Sequence, residues 1–150
     1  MKKSGNGQRW IAGAVLVVWF ALLICVIVFK YIPTIHVGHR IYRFGGGYRT
    51  GPANLLPLHT ILPQLRGHGN RLISKVNLLG NVLPFVPVGL LAPFVFRRMT
   101  WAKALLLAVG TGLLMEVLEV IFQVGIFDVD DILLNSLGVL IGTLVLSKLR

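Results

Sequence analysis

Acidic residues are scarce in this sequence: 5 Asp and Glu stand against 15 Lys and Arg in 150 residues, for a formal charge of +10. Charged side chains of either sign make up only 13% of the chain, about half the usual quarter. There is one cysteine, Cys25, inside an apolar run. An intrachain disulfide framework, a thiolate metal cluster and a Cys-x-x-Cys redox motif are therefore excluded. What is abundant is apolar: hydrophobic residues make up 55% of the chain and 17 glycines add to them, where soluble domains carry roughly 45–50% of the two classes together. That excess excludes an ordinary soluble domain. It also excludes disorder, which needs low hydrophobicity as well as net charge.

From Trp10 to Phe29 no residue is charged, and 20 residues at a rise of 1.5 Å cover about 30 Å, the thickness of the hydrocarbon core. The run is too long for a secretory signal and no small-x-small cleavage site follows it, so an uncleaved anchor is expected. Val76 to Phe96 is a second uncharged run; Pro84 and Pro87 within it predict a kink. Ala104 to Phe127 is a third apolar segment, interrupted by Glu116, Glu119 and Gln123. Ile132 to Ser147 is short alone and becomes long enough if the helix begins at Asp128, whose side chain suits a cap. The expectation is one all-α membrane domain over residues 1–150. Its four spans lie at about 10–29, 76–96, 104–127 and 128–147, with one long outer loop over 30–75.

Basic residues set the orientation. With the N-terminus inside, the cytoplasmic pieces 1–9, 97–103 and 148–150 carry 8 Lys and Arg in 19 residues, against 7 in 46 for the outer loop. Short loops beside span ends weigh most in the positive-inside rule, so an N-in, C-in topology follows.

Every acid falls between Glu116 and Asp131. Glu116 is the thirteenth of 24 residues in its apolar segment, which predicts a position near the bilayer midplane, where an ionised acid costs about 3 kcal/mol. Glu119 and Gln123 follow it at helical spacing, and Ala104, Ala108 and Gly112 continue that face toward the other end. In the next helix Asp128, Asp131, Asn135, Gly138 and Gly142 form a second stripe, the last two as G-x-x-x-G. The two helices are expected to pack on these faces. Asn77 and Asn81, four residues apart in the second span, complete one expected polar cluster. Its members suit ligand binding, with Glu116 and Asp131 as the candidates for acid–base work. The plainer alternative is structural: Asp128 and Asp131 as cap and dipole partners of a helix start, and the Glu and Asn side chains as interhelical hydrogen bonds.

The loop stretch from His36 to Arg49 mixes cations with aromatics, which makes Arg40, Arg43 and Arg49 candidates for contact with anionic headgroups. Its glycines are not followed by a P-loop signature. The four histidines, His36, His39, His59 and His68, lack the H-E-x-x-H pattern. Oxygen ligation of a hard cation by the acids is chemically reasonable, but no metal and no cofactor is expected. The positive charge flanks membrane spans and meets anionic lipid first, so membrane lipids, not nucleic acid, are the expected partners.

Together, Asn54-Leu-Leu-Pro-Leu-His-Thr-Ile61, Asn77-Leu-Leu-Gly-Asn-Val-Leu-Pro-Phe-Val-Pro-Val-Gly89, Glu116 to Gln123 and Phe127-Asp-Val-Asp-Asp-Ile-Leu-Leu-Asn-Ser-Leu-Gly138 resemble the VanZ-like membrane family in order and spacing. The resemblance covers roughly Pro33 to Leu146. Leu58 stands where the family often has Phe, and no Arg precedes Phe127 where many members carry one. The family is named for an accessory protein that lowers susceptibility to the glycopeptide teicoplanin. The resemblance implies a multi-pass protein of the bacterial inner membrane that affects the envelope's response to lipoglycopeptides. It does so by binding the drug, a lipid-linked cell-wall precursor or a lipid at the outer face. Two alternatives stand beside it: an intramembrane enzyme acting on a lipid or lipid-linked substrate, and a small proton-coupled transporter, which with four helices per subunit requires a homo-oligomer.

Overall fold

The computed structural model describes residues 6–27, 35–37, 40–42, 51–66, 71–96 and 98–149. Four passes dominate it. The first is α1 (Asn6–Ile27). The second is broken into α3 (Arg71–Val82), a 3-10 turn at Leu83–Phe85 and α4 (Val86–Val95). The third and fourth are α5 (Trp101–Ile121) and α6 (Val129–Leu149). All four are long and apolar enough to cross a membrane, so the chain is a multi-pass membrane protein. The long loop holds a small antiparallel hairpin, β1 (Ile35–Val37) with β2 (Arg40–Tyr42), and a single helical turn, α2 (Ile61–Leu65).

The helix ends differ from the apolar runs by one turn in places, because a charged residue tolerates the first turn of a span where its head reaches the interface. The second pass starts at Arg71 rather than Val76, taking in Lys75. The third starts at Trp101 rather than Ala104 because Thr100 caps it, its hydroxyl accepting from Lys103 N at 3.3 Å. The expected kink is present. Proline lacks the N–H that would continue the ladder and its ring clashes with the preceding turn; Pro84 lies at the start of the 3-10 turn and Pro87 at the start of α4. The Pro84 carbonyl accepts from the Trp19 indole N–H at 2.9 Å, which ties α1 to the break.

α6 lies between the second pass and α5, while α1 rests on α4. The Gly138–Gly142 stripe of α6 does not meet α5, as expected from spacing, but the broken second pass. A Cβ at Gly138 would overlap the Val82 carbonyl oxygen, one at Gly142 that of Val86, and one at Gly89 on α4 that of Val139. On the opposite flank, Gly112 of α5 faces Ile132, whose carbonyl oxygen would lie 2.9 Å from an added Cβ. Backbones that approach this closely gain dispersion contacts, the main attraction between helices where lipid removes the hydrophobic one. The core joins Leu23, Phe85, Val88, Ala108, Met115 and Val139, whereas Val17, Val18, Leu106 and Leu133 are exposed, as lipid-facing side chains are.

Candidate functional site

The polar residues gather where α5 ends, α6 begins and the loop folds back. α5 stops at Ile121 in a Schellman closure: Gln123 N donates to the Val120 carbonyl at 3.0 Å and Val124 N to that of Glu119 at 2.9 Å. Gln123 occupies the left-handed position, at φ 56°, that glycine usually fills. It is exposed and off the helix, so it does not extend the Glu116–Glu119 face as its spacing predicts. The early stop also moves Glu116. It is five residues past the middle of α5, about 7.5 Å toward the loop end at 1.5 Å per residue.

Glu116 is 1% exposed, and its Oε2 accepts from Asp128 N at 2.8 Å. Its carboxylate thus holds the corner between α5 and α6. Asp128 caps α6: its Oδ1 accepts from Asp130 N at 2.9 Å and from the Asn54 side-chain amide, also at 2.9 Å. Asn54 further pairs through its backbone with this corner, donating to the Phe127 carbonyl at 2.8 Å and accepting from Val129 N at 3.0 Å. The result is a one-residue parallel bridge between loop and helix start.

Asp130, not singled out by the stripe arithmetic, is the organising residue. It is fully buried and its two oxygens accept from Leu58 N, from Thr60 N and Thr60 Oγ1 at 2.7 Å each, and from Ile61 N at 3.1 Å. Three backbone amides and a hydroxyl converging on one carboxylate make an anion-binding concavity like a backbone nest, filled here by the protein itself. Leu58 adopts a left-handed conformation, φ 67°, to present its N–H, at a cost of about 1 kcal/mol. The charged hydrogen bond offsets it.

The remaining candidates divide. Asp131 accepts from the Asn81 side-chain amide, joining α6 to α3. Glu119 is half-buried, and its carboxylate takes the space that a Cβ at Gly125 would need. Asn135 is buried on α6, with its Oδ1 unpaired in the bilayer-facing bundle, as is the neighbouring Ser136 hydroxyl. Asn77 is exposed on α3, one turn before Asn81, and no hydrogen bond among the described residues brings it to the acids. Arg40 belongs to β2, while Arg43 and Arg49 lie outside the described residues. Among the described residues no group of three His, Cys, Asp or Glu side chains is placed to hold a metal ion.

Chemically, these carboxylates act first as acceptors for backbone and amide N–H groups. Glu116 and Asp128 brace a corner, Asp130 anchors the loop and Asp131 ties two helices together. The consequence for the surface is specific. With its backbone turned inward, residues 54–66 present Leu55, Leu56, Leu58, Leu62 and Leu65 outward, between 40% and 66% exposed.

Neither the curated proteins nor the solved structures yield a match to this chain. The family model described as VanZ/LLP1 matches residues 16–150, and so takes in the later part of α1, the other three passes, the loop and every residue of the carboxylate corner. The chain belongs to the VanZ/LLP1 family of membrane proteins.

Proposed function

We propose that the protein lies in the bacterial plasma membrane with both termini in the cytoplasm and the carboxylate-anchored loop outside, where it alters the envelope's response to lipoglycopeptides such as teicoplanin. It does so by holding the acyl part of an amphiphile, either the drug itself or a lipid-linked wall precursor, at the outer face. The observation that carries this is the leucine surface of residues 54–66, fixed in place by Asp130 at the end of the spans. A rigid apolar surface binds an acyl chain without paying for its own ordering. Arg40, Arg43 and Arg49 belong to the same loop and supply the contact to phosphate or other anionic groups.

Binding is favoured over catalysis by what the two candidate acids already do. Glu116 accepts from Asp128 N and Asp131 from Asn81, bonds that a structural role explains and that proton transfer at those oxygens would disturb.

The test is teicoplanin and vancomycin susceptibility of a sensitive host expressing equal membrane levels of wild type, Leu62→Ser/Leu65→Ser or Glu116→Gln. Wild type is expected to protect against teicoplanin and not against vancomycin, and the leucine variant to lose that protection. Glu116→Gln keeps an oxygen for Asp128 N and is expected to retain it; loss there at equal abundance favours the enzyme. No selective protection by wild type refutes the proposal.

A further inference from the structure

The amides of Asn54, Leu56, Leu58, His59, Thr60, Ile61 and Leu62 are all bonded within the protein, to the Phe127 carbonyl, the Asn54 side chain, the Asp130 carboxylate and the carbonyls of Leu56 and Leu58. Pro57 and Pro63 have no N–H to satisfy. Leu55 apart, every amide from Asn54 to Leu62 is thus paired, more than a loop in water needs, because water pairs whatever the fold leaves open. In hydrocarbon each unpaired group costs several kcal/mol, so non-helical backbone survives there only when its polar groups are satisfied internally. Inward the backbone of the segment meets the Asp130 carboxylate, and outward, His59 apart, it shows mainly leucines.

Depth agrees. Asp130 is the second residue of α6, whose 21 residues span about 30 Å and so match the hydrocarbon core from end to end. Backbone bonded to that carboxylate lies at the edge of the core. Arg66, Arg71 and Lys75, all exposed, follow directly in sequence, placing cations where an anionic headgroup layer begins.

We propose that residues 54–66 are a membrane-inserted element, their outward leucines among the acyl chains of the leaflet at the loop end of the bundle and Arg66, Arg71 and Lys75 against anionic headgroups. The element is a fifth membrane-contacting segment beside the four spans. It uses the same leucines as the proposed drug response but does not depend on that response, and it holds for whichever leaflet the loop end occupies.

The experiment uses the full chain with Cys25→Ala, reconstituted in vesicles of phosphatidylcholine and phosphatidylglycerol. Single cysteines at Leu55, Leu56, Leu62 or Leu65 carry an environment-sensitive fluorophore. Because all four side chains are exposed, labelling removes no core contact. Leu22 on the exposed face of α1 provides a lipid reference and Arg98 between α4 and α5 an aqueous one, and both references must behave so in the same preparation. The expected result is loss of emission with nitroxide-bearing lipid at the four loop positions, as at Leu22, and none with aqueous iodide. Quenching by iodide, as at Arg98, overturns the insertion. Quenching by neither also overturns it and points to a second protein surface. Arg66→Glu/Arg71→Glu/Lys75→Glu is expected to abolish any gain in lipid quenching on adding phosphatidylglycerol; an unchanged gain overturns the headgroup contact. Normal protein with normal teicoplanin sensitivity leaves the insertion standing and removes only the drug response.

Discussion

Replacing Asp130 by alanine removes one carboxylate and strands four donors: the amides of Leu58, Thr60 and Ile61 and the Thr60 hydroxyl. A hydrogen bond to a charged group contributes about 1.5–3 kcal/mol, and bonds that share an acceptor add to less than their sum. Release of Leu58 from its left-handed conformation returns about 1 kcal/mol. The net loss of loop anchoring is then about 4 kcal/mol, or about a thousandfold in the equilibrium between docked and released loop. Hydrogen exchange in nanodiscs reads this directly, since exchange through loop opening tracks that equilibrium. Amides 58, 60 and 61 are expected to exchange about a thousandfold faster in Asp130→Ala, with the middle of α5 and α6 unchanged. Asp130→Asn keeps one oxygen and turns an NH2 toward the other donors, so it falls between. Unaltered exchange at these three amides in Asp130→Ala would refute the anchoring role.

Other perturbations test the packing. Gly138→Ala and Gly142→Ala push a methyl into the carbonyls of Val82 and Val86 and are expected to cost about 1–3 kcal/mol each, read as a lower unfolding temperature in detergent. Gly80→Ala on α3 meets nothing within 4 Å and is expected to gain up to about 1 kcal/mol from helix propensity. Gln123→Gly relieves the positive φ at the end of α5 and is expected to raise the unfolding temperature, by about 1 kcal/mol in stability. Trp19→Phe deletes the indole bond to the Pro84 carbonyl and is expected to destabilise by about 1 kcal/mol, visible as faster exchange at the break in the second pass.

The spans are legible in the sequence because lipid imposes a simple rule of length and charge, and the resulting errors are confined to their ends. Thr100 and Lys103 show why: a cap and a cation in the first turn start α5 ahead of the apolar run that begins at Ala104. The close stop of α5 is less legible, since Gln123 takes the position where glycine would signal a C-terminus. That one unmarked turn shifts Glu116 past the middle of its helix toward the loop end and detaches Gln123 from the cluster. Asn81 and Asp131 do meet, as helical spacing suggests. Asp130 escapes periodicity because its partners are in an irregular segment, Leu58 to Ile61, that no repeat connects to α6. The available signal was compositional: a third acid in Asp128-Val-Asp-Asp131, too many for a single cap.

The central claim is that this surface receives an acylated amphiphile, and equilibrium binding of teicoplanin to the protein in nanodiscs, against empty nanodiscs, tests it most directly. Saturable teicoplanin binding above the empty discs is predicted, weakened in Leu62→Ser/Leu65→Ser, kept in Glu116→Gln and absent for vancomycin. Teicoplanin binding no greater than to empty discs, or equal binding of vancomycin, would contradict it.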